Sequence, residues 1–230
     1  MTTEQINQKI VLTEAAVKLN QEGTFTIPRL AKDTGLTASD IYRLFPNKKA
    51  ILRFYYPSLV IRYRAMIEEI EDFETYTISE KLSNFMFTLF DLMMEQREFV
   101  DDTFDTMVFK SGKKTPFHKE VQALFTEFFT TDPNIAVSAG FLMKDYFYGF
   151  IRDEYLHVIK FWLNDGSHGY EKSMALTDKL TGFVEELIYN KTIDKGFDLF
   201  KYLLGSAGLG RKIPIVGNWI TEFFEGEDKA

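Results

Sequence analysis

Residues 26–45 read TIPRLAKDTGLTASDIYRLF, and their pattern predicts the fold of the N-terminal part of the chain. Thr26 is suited to cap a short helix. Gly35 then permits a sharp turn, after which Thr37 is placed to cap the next helix. Two short helices joined by so tight a turn predict a helix-turn-helix unit.

A helix predicted over residues 3–22 precedes this unit and supplies an apolar face for it to pack on. The packing residues predicted for the three helices are Ile6, Ile10, Ala15, Ala16 and Leu19 in the first, Leu30 and Ala31 in the second, and Ile41 with Leu44 or Phe45 in the third. Their spacing of three and four residues is that of amphipathic helices. The sequence therefore predicts a three-helix head over residues 1–53, whose third helix, 38–45, turns its other faces outwards.

Four short motifs with fixed spacing run through this head. They are Ala15-Ala16, Thr26-x3-Leu30-Ala31, Gly35-Leu36-Thr37 and Tyr42-x2-Phe45-x2-Lys48-x2-Ile51. Over about residues 10–53 the pattern resembles the TetR family of bacterial repressors. The chain departs from that pattern at Asn20, where the family prefers an aromatic residue, and at Leu44, where it often has His or Tyr.

The resemblance implies a cytoplasmic homodimer that represses transcription and is released from DNA by a small-molecule effector. It implies that the two long late helices, here predicted over 133–164 and 172–190, form most of the dimer interface. Ligand binding in each body would then change the spacing of the two heads on an inverted-repeat operator.

The third helix carries side chains suited to double-stranded DNA, because a helix fits the major groove. Arg43 is able to bond guanine O6 and N7 there, or to contact phosphate instead. The hydroxyls of Tyr42 and Thr37 and the ammonium of Lys48 suit phosphate oxygens, whereas Asp40 would repel phosphate unless it bonds cytosine N4 or points away. The predicted DNA-binding residues are Thr26, Thr37, Ala38, Ser39, Tyr42, Arg43 and Lys48.

The net charge of −7 does not exclude a nucleic-acid partner, because the charge is unevenly distributed. Residues 1–55 contain eight Lys or Arg and five Asp or Glu, so the acidic excess lies in the remainder of the chain. Screening over about 8–10 Å hides much of that distant charge from a ligand at the head. A basic head is therefore still attracted to phosphate.

The remainder, residues 54–230, is predicted to be a larger helical bundle that binds the ligand and dimerises, so the whole fold is all-α. Helices are predicted near 47–72, 78–95, 98–110, 116–130, 133–164, 172–190, 193–205 and 214–225. Three of them begin at capping patterns: Thr77 with Glu80, Thr115-Pro116 and Asp132-Pro133. Pro57 falls inside the helix predicted to link head and body, so a kink near Arg53–Pro57 is expected.

Phenylalanine is concentrated in this body, where 14 of the 23 lie between Phe85 and Phe161. Aromatic residues at helical spacing mostly form core. The family resemblance nevertheless implies a cavity, and an apolar or aromatic effector would suit one lined by aromatic side chains. The predicted pocket residues are Phe85, Phe90, Met93, Phe104, Phe125, Tyr146 and Phe150.

The sequence leaves two alternatives to a regulator: a helical-bundle small-molecule-binding protein, and a di-metal enzyme, each keeping a vestigial helix-turn-helix. Glu154-x-x-His157 has the spacing of a carboxylate di-iron ligand pair, but such a site needs two copies and two further glutamates. Only one copy occurs, so no catalytic residue, metal or cofactor is predicted. The absence of cysteine excludes disulfides and thiolate-bound metals.

Two further patterns do not indicate a catalytic role. Residues 205–212 approach the phosphate-loop spacing but lack its Lys and Ser/Thr, which favours a flexible joint. Residues 214–225 are amphipathic and are predicted to dock on the body or on a second subunit. No secretory signal is expected at residues 1–10, and no membrane is expected as a partner, because the longest uncharged run, 133–143, has 11 residues where a span needs about 20.

Overall fold

The computed structural model describes residues 2–111, 114–136, 143 and 145–189 of the chain, and the fold is all-α, as predicted. The helices are α1 (Thr3–Gln21), α2 (Ile27–Thr34), α3 (Ala38–Leu44), α4 (Lys48–Arg53), α5 (Tyr55–Ile67), α6 (Ile78–Met94), α7 (Arg97–Phe104), α8 (Pro116–Thr131), α9 (Asp145–Leu163) and α10 (Glu171–Tyr189). A π-helical turn, Asp105–Phe109, follows α7, and short 3-10 turns cover Phe73–Thr75 and His168–Tyr170. The helices predicted over 193–205 and 214–225, and the joint at 205–212, lie outside the described residues.

The expected break in the linking helix is confirmed. Helix α4 ends at Arg53, Phe54 caps it, and α5 begins at Tyr55 with Pro57 in its first turn. Proline is tolerated there because the first backbone N–H groups of a helix have no partner within it. The predicted end at residue 72 is wrong, since α5 stops at Ile67. Three glutamates and an aspartate follow within five residues, and negative charge is unfavourable at a helix C-terminus.

The predicted start of a helix at residue 133 is also wrong, because α9 begins at Asp145. Asp132 does not cap a helix there. Its Oδ1 accepts a 2.7 Å hydrogen bond from the Asn134 N–H, which forms an Asx turn, and its other oxygen accepts from the Tyr189 hydroxyl. Asp132 follows the last residue of α8, Thr131, and residues 132–136 are not helical.

The chain forms two compact units. The first comprises residues 1–71 and 88–121, and the second comprises residues 72–87 and 122–230. The predicted head, residues 1–53, lies wholly in the first unit, and its predicted boundary falls at the end of α4.

The head is built around one apolar cluster in the first unit. Its buried members are Leu12, Ala16, Leu19, Phe25, Ile27, Leu30, Ile41, Phe45 and Ile51. Most of the predicted packing residues belong to it or pack against it, whereas Ile6 and Ile10 are only half-buried and Leu12 was not predicted. The buried Thr13 hydroxyl donates a 3.3 Å hydrogen bond to the Ile51 carbonyl, which ties α1 to α4.

Aromatic residues pack the rest of the first unit around the start of α5. The rings of Tyr55 and Phe99 meet edge to face at 5.1 Å, and the ring of Tyr56 lies 5.9 Å from each of Phe104 and Phe117. The Tyr56 hydroxyl is hydrogen-bonded to Thr103 at 2.8 Å. Burial raises the pKa of Tyr56 far above its ordinary value, so this side chain stays neutral.

The second unit has its own aromatic core and a polar seam. Phe85 stacks on Tyr155 at 5.0 Å, and Phe125 packs edge-on against Phe85 at 5.6 Å. The seam joins α6 to α10, since the hydroxyl of Tyr189 accepts from the Ile78 N–H at 3.1 Å and the carboxylate of Glu185 accepts from the Ser79 N–H at 2.9 Å. The first free N–H groups of α6 are thus satisfied from α10.

Candidate nucleic-acid interface

The turn between α2 and α3 is fixed by local hydrogen bonds and by one glycine. The Thr26 hydroxyl accepts from the Arg29 N–H at 3.3 Å at the start of α2. At its end Gly35 adopts a left-handed conformation with φ of 70°, which side chains other than glycine rarely adopt. Thr37 then caps α3, since its hydroxyl accepts from the Asp40 N–H at 3.2 Å. This turn holds α3 in a defined position on the head.

Helix α3 buries one side and exposes the others. Ile41 is completely buried in the head, while Tyr42 is 53% exposed and the Arg43 side chain is 74% exposed. The other predicted DNA-binding residues on or before this helix, Thr37, Ala38 and Ser39, are also exposed. The structure therefore brings these five side chains to the surface of one short helix, as a recognition helix requires.

Asp40 helps to cap α3, a role that was not predicted for it. Its carboxylate accepts hydrogen bonds from the Thr37 hydroxyl at 2.6 Å and the Thr37 N–H at 3.1 Å, which completes a capping box. It also accepts from the Arg43 guanidinium at 2.8 Å. The hydrogen bonds from Thr37, and then the charge of Arg43, hold the pKa of Asp40 below its ordinary value. The pattern Thr37-x-x-Asp40 would have indicated this cap.

The ammonium of Lys48 contacts another residue of the head, Phe25. Its ammonium donates a 2.5 Å hydrogen bond to the Phe25 carbonyl and lies 4.6 Å from the centre of the Phe25 ring. Lys48 thereby links the start of α4 to the residue before Thr26. Lys48 is nevertheless an exposed residue, which leaves its ammonium able to reach a phosphate. A phosphate contact by Lys48 stays a prediction.

The seven predicted pocket residues are distributed over both units. Phe90, Met93 and Phe104 are buried in the first unit, whereas Phe85 and Phe125 are buried in the second. In the second unit Tyr146 is 52% exposed and Phe150 is half-buried. The structure brings Phe85 and Phe125 into contact, in a packed aromatic cluster.

A cleft of about 380 Å³ lies elsewhere, within the first unit. Its described lining residues are Arg53, Tyr56, Met107, Val108, Ser111, Lys114, Thr115, Pro116 and Phe117. None of the predicted pocket residues is among them. The cleft adjoins the break between α4 and α5, because its lining includes Arg53, the last residue of α4, and Tyr56, the second residue of α5.

The Glu154-x-x-His157 pair lies on α9. Glu154 is buried, and the His157 Nδ1 atom is hydrogen-bonded to the Asp153 carbonyl at 2.8 Å. Burial lowers the pKa of His157. Across the described residues, His, Asp and Glu side chains nowhere gather in threes in a way that could hold a metal ion. The same part of the chain includes no helix long and apolar enough to cross a membrane.

A family model described as the tetracyclin repressor-like C-terminal domain matches residues 81–203, which is more than half of the chain. This region does not overlap residues 10–53, where the N-terminal motifs lie. No match was found among curated proteins.

Proposed function

We propose that this chain, which belongs to the TetR family of transcriptional regulators, is a repressor that binds a DNA operator through α3 and leaves it when a small apolar or aromatic effector binds. The observation that carries the proposal is the exposure of Tyr42 and Arg43 on a short helix that a capped turn and a buried Ile41 hold in place. A family member with such a helix has the parts that sequence-specific DNA binding needs.

The recognition contact is assigned to Arg43. A guanidinium has five N–H donors, and the bond to Asp40 uses one nitrogen, Nη2. The remaining donors are available for guanine O6 and N7, so Asp40 orients the guanidinium instead of competing with it. In this arrangement the acidic side chain that appeared unfavourable beside DNA accepts hydrogen bonds from Thr37 and forms an ion pair with Arg43.

The other exposed side chains are assigned to the DNA backbone. The hydroxyls of Tyr42, Ser39 and Thr26 and the ammonium of Lys48 suit phosphate oxygens, and Ala38 leaves room for close approach of the helix. Such contacts position the head without specifying sequence. The excess of basic over acidic residues in residues 1–55 supports this attraction.

The repressor is further proposed to be a cytoplasmic homodimer on an inverted-repeat operator. A single head offers one candidate bidentate base contact and few phosphate contacts. Two heads joined in one dimer multiply these contacts through their high effective concentration. An effector then acts by binding more tightly to the form whose heads are wrongly spaced.

The experiment that tests the proposal measures the anisotropy of labelled DNA from the region upstream of the gene, with a shuffled DNA of the same composition as control. A repressor binds the upstream DNA at least a hundredfold more tightly than the shuffled DNA at about 150 mM salt. Equal affinities that fall together as salt rises would show sequence-blind binding. That result would favour a helical-bundle binding protein with a vestigial head.

A further inference from the structure

The cleft beside the break between α4 and α5, here called the hinge cleft, combines an apolar floor with a cationic rim. Tyr56, Val108 and Phe117 are each buried and form the floor. Arg53 and Lys114 are exposed and line the same cleft. A cleft of about 380 Å³ is within the range of small-molecule sites, about 300–1,000 Å³.

The charged side chains that line the hinge cleft, among the described residues, are all cationic. No carboxylate occurs among its described lining residues, and neither Arg53 nor Lys114 forms an ion pair with an acidic side chain among the residues that the structure describes. The neighbouring Lys110 differs, since its ammonium is paired with Asp105 at 2.8 Å. Two cations without a described counter-charge above an aromatic floor suit an anionic ligand with an apolar body.

Part of the lining of the hinge cleft has an uncommon backbone. Met107 and Val108 belong to the π-helical turn Asp105–Phe109, in which the Lys110 N–H donates to the Asp105 carbonyl at 2.7 Å. Turns of this kind inside helices are often found at functional sites. Met107 and Val108 of this turn line the cleft.

The position of the cleft connects it to the head. Arg53 is the last residue of α4, and Tyr56 is the second residue of α5, so the cleft touches both helices across Phe54. Helix α4 is fixed to the head by the bond from Thr13 to Ile51. A ligand that contacts both sides of the break can therefore bias the angle between α4 and α5.

From these observations we infer that the hinge cleft is the effector site, and that its effector is an amphipathic carboxylate: an aromatic or acyl body on Tyr56 and Phe117, with its anionic group at Arg53 and Lys114. This inference rests on the proposed function and names the chemical class of the effector. Binding there changes the α4–α5 angle and weakens operator binding.

The test titrates the full chain with 1-naphthoate and with its neutral analogue 1-naphthamide by isothermal calorimetry. The naphthoate binds once per chain, and the amide binds at least tenfold more weakly. Lys114→Gln weakens naphthoate binding at least fivefold, and Arg53→Gln does the same. Lys119→Gln is the matched control, because Lys119 is an exposed cation on α8 that does not line the cleft. Circular dichroism establishes that each variant folds.

Equal affinity for the acid and the amide, or naphthoate binding that neither variant weakens, overturns the site. DNA anisotropy with naphthoate present separates this inference from the proposed function. If upstream DNA binds specifically and naphthoate does not bind, the inference fails and the repressor remains. If naphthoate binds at the cleft but the chain binds no specific DNA, the site stands and the repressor fails. Naphthoate that occupies the cleft without weakening operator binding overturns the coupling to the hinge.

Discussion

The guanidinium of Arg43 donates a 2.8 Å hydrogen bond to the carboxylate of Asp40, three residues earlier on α3. Because Asp40 also caps that helix through Thr37, one carboxylate both starts the recognition helix and orients its main candidate base contact. The capping box and the proposed DNA contact are therefore parts of the same small network.

The first prediction concerns Arg43→Ala. Loss of a bidentate guanine contact should cost about 1–3 kcal/mol at the operator and relax the preference at one base pair. Lys48→Ala should instead weaken binding to all sequences alike, because a phosphate contact carries no base information. Both are measured by DNA anisotropy on operators that vary one position at a time. Full operator discrimination by Arg43→Ala would show that another side chain specifies the sequence.

The second prediction concerns pH and Asp40. The folded-state pKa of Asp40 lies below its ordinary value of 3.8, so this carboxylate stabilises the fold above about pH 3.8, and the contribution is lost as the pH falls through the folded pKa. Asp40→Asn should therefore be less stable than the wild type at pH 6 and approach it in stability near pH 3. Urea unfolding at several pH values measures the difference, with exposed Asp33→Asn as the control. A difference that is independent of pH would contradict the assignment.

The third prediction concerns Pro57→Ala. Alanine restores an N–H at a position where proline has none, which permits a hydrogen bond to the Arg53 carbonyl and favours continuity from α4 to α5. The link should stiffen, and effector should release DNA less effectively while its own affinity changes less. Calorimetry measures the affinity, and DNA anisotropy against effector concentration measures the release. An unchanged release curve would remove the break at Phe54 from the mechanism.

The fourth prediction concerns Tyr189→Phe. The Tyr189 hydroxyl accepts from the Ile78 N–H and donates to the Asp132 Oδ2 atom, so its removal takes this partner away from both groups. The cost should be about 1–3 kcal/mol in the free energy of unfolding, because such groups lose a partner without regaining water. Tyr146→Phe, on a 52% exposed ring, is the control and should change stability by less than about 0.5 kcal/mol. Equal effects of both changes would show that this seam contributes little.

The helix boundaries that the sequence predicted correctly are set by residues close to them in the chain. Helix α2 spans 27–34 as predicted, because Thr26, Pro28 and Gly35 fix its ends within a few residues of the chain. The break before Pro57 was predictable for the same reason. The confirmed cap of Thr77 with Glu80, at 2.8 and 3.3 Å, is equally local.

The sequence is less informative where residues that are distant in the chain determine the local structure. Asp132 has the sequence of a helix cap, yet its carboxylate binds Tyr189, 57 residues later, which no local pattern contains. None of the predicted pocket residues lines the hinge cleft, and their role as a pocket stays a prediction. Spacing identifies Phe85 and Phe125 as apolar without showing which aromatic rings pack against each other. The cleft instead depends on how the π turn and the start of α8 approach Tyr56.

The last prediction is that the chain works as a two-fold dimer on a near-palindromic operator. The late helices predicted to form most of the interface correspond to α9 and α10, and both expose aromatic rings: Tyr146 is 52% and Phe183 is 47% exposed. An aspartate at the centre of such an interface places an unpaired charge in an apolar contact, which is unfavourable. Phe183→Asp should therefore convert the dimer to monomers in sedimentation experiments, while Val11→Asp, at a 58% exposed position on α1, should not.

The two recognition helices of a dimer must lie about 34–36 Å apart, or a multiple of that distance, to enter successive major grooves. Insertion of five base pairs between the half-sites rotates one half-site to the opposite side of the DNA, so it should abolish tight binding, whereas insertion of ten should restore part of it. The monomeric Phe183→Asp variant should bind a half-site weakly and be insensitive to both insertions. A wild-type monomer that binds one half-site as tightly as the full operator would contradict the dimer, without bearing on the contact made by Arg43.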